Sequence, residues 1–393
     1  MSIGGPGYPD SPASIALNNA EKVNITSIIS AGNSGSLSET VGSPAAAESA
    51  LAVGSVNDDD ELNQFSSRGP QKVKNSTELL MKPEISAPGY QINSTYRGNF
   101  SNLSGTSFAA PHVSGAAALL LQSNPSLTPK EVTGILTETS TPIEREDNIE
   151  DADLSETGTG RVNVTEALNT SSVAIPETLS FGLSNFTDGE WNVSRSLLIR
   201  NFGNDTKNYT ISKDSVPEGA SFYLESKRLE LSPEESKEIQ INISAIRSSL
   251  QQGTYTGKFK VVSNQSEKLI IPYIFEHEDF SVEVSPKQSK DGILRIHLES
   301  PYEYAKSNKQ IYIKHPGVEV SKVQLNKRKG PRELDPENQD WYRKIQVNQT
   351  GQYKIIANSS KLPGKKDTAK FMFNKTKPAL STQSTFYGTR DKL

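Results

Sequence analysis

A helix with no polar face constrains the fold of this chain more than any other feature. Residues 115–122 read Gly-Ala-Ala-Ala-Leu-Leu-Leu-Gln, small and apolar all round, so a helix here has to be buried on every side. Apolar strand-like runs precede it at residues 25–29 and 50–56, and a capping box at residues 128–131 opens the next helix. Helices that alternate with short apolar strands predict an α/β domain with a parallel sheet over residues 1–172.

The pattern of polar and apolar residues changes beyond residue 171. Short runs of alternating polar and apolar residues are bounded there by Asn, Gly, Asp and Pro. Such runs predict strands of β-sandwiches of the fibronectin or immunoglobulin type. Three examples are residues 196–200, 238–242 and 258–262.

The sequence therefore predicts three domains and a tail. A polar break near residues 276–279 separates two sandwich-like regions, and the last residues are polar. The predicted domains are residues 1–172, 176–277 and 279–377, followed by a flexible tail at 378–393.

Charge and composition exclude several classes of partner. The 393 residues carry 42 basic and 46 acidic side chains, a net charge of −4, which does not favour nucleic-acid binding. No stretch approaches the roughly 18 apolar residues that cross a bilayer, so we predict no membrane span. The chain has no cysteine, which excludes disulfides, thiolate metal sites and a cysteine nucleophile.

Asparagine sequons indicate an extracellular protein. Of the 27 Asn residues, 16 begin an Asn-x-Ser/Thr triplet without Pro, whereas about five would follow from composition alone. The pattern predicts a secreted or cell-surface glycoprotein, and a biased composition is the alternative interpretation. Residues 1–7 lack the character of a signal peptide, so we expect the chain to begin inside a longer protein. Examples of the sequons are those of Asn75, Asn93, Asn99, Asn102, Asn185, Asn208, Asn242 and Asn348.

Ser107 is the candidate nucleophile. Residues 105–115 read Gly-Thr-Ser-Phe-Ala-Ala-Pro-His-Val-Ser-Gly, which puts a serine among small residues at the start of the buried helix. The N-terminus of a helix favours developing negative charge, and burial holds the hydroxyl rigidly. A lone serine in such a place is usually only a cap. The whole string, however, resembles the nucleophile motif of the subtilase family of serine proteases almost residue for residue.

Other stretches resemble the same family in the same order. Residues 30–35, Ser-Ala-Gly-Asn-Ser-Gly, resemble the strand end that lines the specificity pocket, and this implies that the amide of Asn33 donates to the oxyanion. The match spans residues 1–172 and implies a subtilisin-like parallel sheet flanked by helices, incomplete on its N-terminal side. The substrate-binding residues that it implies are Ser2, Ile3 and Gly4 in an edge strand, Ser30, Ala31 and Gly32 at the strand end, and Gly42 in the loop closing the pocket.

The resemblance implies a serine endopeptidase that cleaves polypeptides through an acyl-enzyme on Ser107. In the family the catalytic Asp and His precede the specificity motif, but here the residues before Asn33 include one Asp, Asp10, and no His. His112 lies on the same helix as Ser107, about 140° around it, and we interpret it as a packed structural residue. We expect a fragment that is inactive alone and whose partner is the N-terminal half of the peptidase domain. The alternative is a non-catalytic secreted or cell-surface binding protein built on a protease-derived scaffold.

We predict no cofactor. Residues 58–61, Asp-Asp-Asp-Glu, lack the ligand spacing of a calcium loop and are interpreted as a solvated turn. Calcium is common in the family, but the resemblance assigns no ligand. The strand-like surroundings of His277, His297 and His315 do not predict a replacement base. Trp191 and Trp341 are expected to pack in one sandwich each or to lie at its surface.

Overall fold

A computed structural model gives the fold. It describes every residue outside 74–75, 144–152, 185–189, 215, 247–248, 278–281, 286–292, 299–308, 316–317, 324–325, 328–340, 347–350, 360–365 and 374–393. Two compact units make up the described residues: residues 1–184 with 190–277, and the strands between residues 282 and 373.

The first part of the chain alternates between helices and strands. Its elements are α1 (Pro12–Glu21), β1 (Ser27–Ser30), β2 (Ala50–Val56), β3 (Gln71–Lys72), β4 (Leu79–Leu80), β5 (Ile85–Pro88), β6 (Ile92–Tyr96), β7 (Asn99–Leu103), α2 (Thr106–Ser123), α3 (Pro129–Glu138), α4 (Leu154–Thr157) and α5 (Val164–Asn169). Strands β1, β2 and β5 form a parallel sheet in that order.

Both faces of this parallel sheet are covered. One face packs Ile28 and Leu51 against Ala109 and Val113 of α2. The other face, with Ile29, packs against the side of α1. Consecutive residues of a strand point to opposite faces, so residues 50–53 of β2 are apolar without alternation. The predicted α/β fold with a parallel sheet between helices is confirmed.

The prediction that α2 is buried all round is wrong. Ala109, Val113 and Ala116 are buried against the sheet, but His112 is exposed and Leu119 is 45% exposed on the other side of the helix. The composition predicted enclosure because it gives no polar face. Only one side of the helix, however, meets the sheet within the described residues.

Helix α3 begins with the predicted capping box. The Glu131 backbone N–H donates to Thr128 Oγ1 at 3.4 Å, and the Thr128 backbone N–H donates to Glu131 Oε2 at 2.8 Å. The Glu131 carboxylate also binds Arg200, and Glu131 is only 4% exposed. This capping glutamate therefore fastens α3 to a strand 69 residues further along.

Residues 172–277 form two sheets. Their strands are β8 (Ser172–Ile175), β9 (Leu179–Leu183), β10 (Glu190–Asn201), β11 (Lys207–Lys213), β12 (Ala220–Leu224), β13 (Arg228–Leu231), β14 (Ser236–Ile246), β15 (Gly253–Ser263) and β16 (Lys268–His277). One sheet has the order β12-β14-β10-β8 and the other β13-β11-β15-β16-β9. All neighbouring strands are antiparallel except β16 and β9.

Aromatic rings join the two sheets face to face. Phe222 of β12 lies with its ring centroid 5.3 Å from that of Phe259 and 4.7 Å from that of Tyr273, both in the opposite sheet. Trp191 is 5% exposed and packs on Phe275 at 5.5 Å, as expected for a tryptophan of a strand layer. The assignment to a fibronectin or immunoglobulin type stays a prediction.

Strand β8 joins the α/β part to these sheets. It pairs with β10, and its residues Val173 and Ala174 are fully buried, with the Ala174 N–H donating to the Glu138 carboxylate of α3 at 3.0 Å. The predicted boundary between residues 172 and 176 therefore falls inside the first compact unit. Separate domains on either side of it stay a prediction.

The second unit consists of two further sheets of antiparallel pairs. Its strands are β17 (Val282–Ser285), β18 (Ile293–Leu298), β19 (Lys309–His315), β20 (Val318–Val323), β21 (Asn326–Lys327), β22 (Trp341–Gln346), β23 (Gly351–Ser359) and β24 (Lys366–Phe373). The orders are β17-β18-β22-β21 and β20-β19-β23-β24. The predicted tail at 378–393 lies outside the described residues, as do Asn75, Asn185, Asn348 and the side chain of Trp341.

Candidate functional site

The N-terminus of α2 presents Ser107. Ser107 is the second residue of an 18-residue helix and is half-buried. Gly105 precedes the helix with φ +151° and ψ 156°, a backbone conformation that essentially only glycine adopts. A Cβ at Gly105 would lie 3.2 Å from Asn33 Nδ2, so the absence of a side chain lets Asn33 approach the start of the helix.

Thr106 fixes the orientation of Asn33. The Thr106 backbone N–H donates to Asn33 Oδ1 at 2.9 Å, and the Thr106 hydroxyl donates to the same oxygen at 3.0 Å. With the amide oxygen occupied by two donors, the amide nitrogen is the end directed toward Gly105. The structure thus holds a side-chain N–H donor beside Gly105 and Thr106, the two residues before Ser107, although Asn33 and Thr106 are 73 positions apart in sequence.

The end of strand β1 lies against the same threonine. Ser30 and Ala31 are buried, and the Ala31 N–H donates to Val53 O at 3.0 Å. Gly32 has φ +112°, and its N–H donates to Thr106 Oγ1 at 3.2 Å. These residues lie at the carboxyl edge of a parallel sheet, where α/β proteins form their binding crevices.

The first five residues run beside this strand end. The Ser30 N–H donates to Met1 O at 3.0 Å, and the Ser2 hydroxyl donates to Ser107 O at 2.9 Å. Ser2, Ile3 and Gly4 are exposed. The exposed backbone there leads directly past the start of α2.

Gly42 closes the other side of this segment. A Cβ at Gly42 would meet Gly5 O at 2.2 Å, so only glycine fits between the two loops. The Gly5 N–H donates to Ser43 O at 3.0 Å, which fixes their contact. The structure therefore gathers all nine residues singled out from the sequence into one region, and the role of each stays a prediction.

Sequence reasoning missed the residues that organise this region. Thr106 was only part of a motif, yet it binds both Asn33 and Gly32. The Ser67 hydroxyl accepts from the Ser34 N–H at 3.1 Å and supports the same loop. Thr106 precedes Ser107 in the motif, and that adjacency is the signal that the sequence offers. The proximity of Thr106 and Ser67 to Gly32 is visible only in the structure.

The histidines do not complete a catalytic pair with Ser107 within the described side chains. His112 Nδ1 lies 2.9 Å from Phe108 O, one turn back on the same helix, and the ring is exposed, so the interpretation as a packed residue is wrong. His277 is buried and its Nδ1 lies 2.7 Å from Ser184 Oγ. His297 and His315 lie in β18 and β19.

The acidic turn does not gather its carboxylates around a common point. Asn57 Oδ1 accepts from the N–H groups of Asp59 and Glu61 at 3.0 and 2.8 Å, and Asp60 pairs with Arg161 at 2.5 Å. The described residues contain no group of three His, Asp or Glu side chains suited to hold a metal ion. This turn therefore does not provide the converging oxygen ligands that a calcium site needs.

Two buried acids lie elsewhere in the first compact unit. Burial raises the pKa of Glu84 to about 7 against the opposing effect of Lys82, its buried ion-pair partner. Burial likewise raises the pKa of Glu138 well above its ordinary value, although its carboxylate accepts from the Ala174 N–H. Both groups belong to the packing of the layers, because each binds backbone N–H groups of neighbouring strands or segments.

Comparisons with known proteins match the part of the chain that holds this region. The sequence profile of the subtilase family matches residues 1–165. Subtilisin DY of Bacillus licheniformis is 38% identical over 146 residues, which cover 36% of this chain and 49% of that protein. The serine protease AprX of Bacillus subtilis is 34% identical over 190 residues, covering 42% of this chain and 40% of the relative.

A third relative gives the same result. Subtilisin J of Geobacillus stearothermophilus is 39% identical over 144 residues, covering 36% of this chain and 35% of the relative. The chain thus spans less than half the length of each of these three proteins. None of the described helices combines the length and the hydropathy needed to cross a membrane.

Proposed function

This chain belongs to the subtilase family through its residues 1–165, and on that premise we propose that it is part of a serine endopeptidase in which Ser107 is the nucleophile and Asn33 the oxyanion donor. Polypeptides are the proposed substrates. Their backbone would run along Ser2, Ile3 and Gly4, with Ser30, Ala31, Gly32 and Gly42 lining the pocket for the side chain before the cleaved bond.

One observation carries the proposal. Two hydrogen bonds from Thr106 occupy Asn33 Oδ1, at 2.9 and 3.0 Å, and leave the amide nitrogen of Asn33 toward the residue before the helix that presents Ser107. A catalytic donor of this kind has to be oriented before the reaction begins, because reorientation during the reaction would cost free energy. The amide N–H of Ser107 is also among the first four of a helix, which have no intrahelical partner.

The chemistry follows from these positions. Ser107 Oγ attacks the carbonyl carbon while a general base takes its proton, and the carbonyl electron pair moves onto the oxygen. The Asn33 amide and the start of α2 stabilise this oxyanion. Collapse of the intermediate breaks the C–N bond, the base returns the proton to the leaving amine, and water then hydrolyses the acyl-enzyme on Ser107.

We propose that the chain alone does not turn over. A triad without its base loses most of its rate, and neither His112 nor His277 is hydrogen-bonded to Ser107. The Asp and His would come from a further polypeptide segment, the N-terminal half of the peptidase domain. No metal ion or organic cofactor takes part in the proposed reaction.

We also propose an extracellular or cell-surface location and an accessory role for the sheets after residue 172. The sequons support the location, and the facing sheets of residues 172–277 support accessory β-sandwich domains. The sheets contact the α/β part through buried residues such as Val173.

Covalent labelling tests the nucleophile. The chain alone should neither hydrolyse casein nor react with a fluorophosphonate. When the chain is fused to the part of a full-length relative that carries the Asp and His motifs, the fluorophosphonate should label Ser107. Ser107→Ala should abolish this labelling, and Asn33→Ala should slow it by roughly 10²- to 10³-fold.

A cooperative melt of the fusion provides the folding control. A folded fusion that leaves Ser107 unlabelled would contradict the proposal and favour the non-catalytic binding scaffold. Turnover by the unfused chain that Ser107→Ala abolishes would contradict the missing base instead.

A further inference from the structure

The sequon asparagines are selectively exposed. Eleven of the 16 have described side chains; nine of these are exposed, two are half-buried and none is buried. Seven other asparagines are described, of which two are exposed and two are buried. A high Ser and Thr content alone would not make sequon asparagines more exposed than the others. A Ser or Thr two positions after an asparagine does not by itself decide whether that asparagine is buried. The exposed sequon residues are Asn24, Asn93, Asn99, Asn102, Asn169, Asn192, Asn204, Asn208 and Asn264.

Three of these sequons lie on one hairpin beside the candidate nucleophile. Strands β6 and β7 are joined by Arg97 and Gly98, whose φ angles are +50° and +82°. A two-residue turn needs such positive φ angles to match the twist of the strands that it joins. The hairpin ends at Leu103, and the Gly105 N–H then donates to Gly89 O at 2.8 Å at the entry to α2. Only four residues separate Asn102 from Ser107.

One face of the hairpin is exposed throughout. Asn93 pairs with Asn102 across the strands, and Thr95 pairs with Phe100, so these four side chains share a face. All four are exposed, and Phe100 is 74% exposed. The face therefore presents two directly opposed sequon amides beside an aromatic ring whose surface a sugar ring can cover.

We propose that this face is a site of N-linked glycosylation, with a single glycan carried on either Asn93 or Asn102. The glycan donor is an oligosaccharide on a lipid phosphate. The amide nitrogen of the asparagine bonds to the first sugar carbon, the bond from that carbon to the phosphate oxygen breaks with its electron pair leaving on the phosphate, and the amide loses one proton. The inference rests on the proposed extracellular location and not on peptide hydrolysis.

Geometry limits this face to one glycan. Directly opposed residues of antiparallel strands have Cβ atoms roughly 5 Å apart, about the width of one sugar ring. A glycan on one asparagine thus covers the amide of the other, and also the ring of Phe100 beside it. Because β7 ends four residues before Ser107, the glycan would lie near the start of α2.

Peptide mass spectrometry of the protein from its source organism tests the proposal. Trypsin cleaves after Arg97 in the turn, so Asn93 falls in residues 75–97 and Asn102 in residues 98–130. These peptides also hold the sequons of Asn75 and Asn99, so fragmentation within each peptide has to assign the glycan mass to one asparagine. We expect the glycan on Asn93 or on Asn102, with the occupancies of these two asparagines summing to about one per molecule. Asn102→Gln should remove the glycan from position 102 and raise the occupancy of Asn93 toward one.

Matched variants separate the sequon from the side chain. Thr95→Ala should remove the glycan from Asn93, whereas Thr95→Ser, which keeps the hydroxyl, should retain it. Unmodified peptides from protein found outside the cell would overturn the site and leave the location intact. Unmodified protein found only inside the cell would overturn both. Occupancies of Asn93 and Asn102 that sum to clearly more than one per molecule, or an occupancy of Asn93 that does not rise in Asn102→Gln, would overturn the shared site.

Discussion

Replacement of Lys207 by Met tests how the α/β part is fastened to the sheets. Lys207 is 1% exposed in its side chain, and its Nζ lies 2.8 and 2.7 Å from the two carboxylate oxygens of Glu267 and 3.1 Å from Ser172 Oγ. Glu267 also accepts from the Ser171 N–H at 3.1 Å. This cluster holds the first residues of β8, where the chain leaves the α/β part.

The expected cost follows from what the substitution leaves behind. Met keeps most of the buried stem but removes the cation, and breaking a buried pair costs about 3–5 kcal/mol. Glu267 stays 14% exposed and keeps hydrogen bonds from Ser171 and Ser172, so we expect the lower end, about 3 kcal/mol. Burial would raise the pKa of Glu267, but the hydrogen bonds and charge of its partners lower it below the ordinary value.

Urea unfolding at pH 7, followed by the fluorescence of the buried Trp191, measures this cost. Lys260→Met is the matched control, because Lys260 pairs with Asp214 at 2.6 Å but both side chains are about a third exposed. Such a pair contributes about 1 kcal/mol or less. The deficit of Lys207→Met should also shrink as the pH falls, because protonation of Glu267 removes the unpaired charge. Equal losses for the two variants would refute the reasoning.

Three further predictions concern the layers and the site. Because burial raises the pKa of Glu138, the folded state keeps a proton that the unfolded state loses above about pH 4.5, so the free energy of unfolding should fall as pH rises from there. Glu138→Gln should flatten that slope in urea titrations at several pH values; an unchanged slope would contradict it. Gly105→Ala should lower the free energy of unfolding by about 1–3 kcal/mol because of the backbone conformation at Gly105. Gly115→Ala, on the helix and with open space around it, should raise that free energy by about 0.5–1 kcal/mol. Thermal melts compare the two variants, and equal effects would refute the backbone strain at Gly105. Limited proteolysis should leave residues 172–175 uncut because they form a buried strand, and early cleavage there would instead favour separately folding domains.

Local sequence patterns determined the elements of this protein. The capping box at Thr128 predicted the start of α3, because its two hydrogen bonds join residues only three positions apart. Apolar runs and short alternating runs likewise predicted the parallel sheet and the strands after residue 171, since strand and helix periods are properties of neighbouring residues. The motif around Ser107 indicated the family by the same local means.

Tertiary structure decided what those elements face and which polar groups meet. The composition of α2 does not say that Leu119 lies on an exposed side, because exposure depends on the layers that surround the helix. Nor does it say that Thr106 orients Asn33, 73 positions away, or that Lys207 binds Glu267, 60 positions away. Such contacts leave no periodic signal in the sequence, because they arise only when packing brings distant segments of the chain within hydrogen-bond distance.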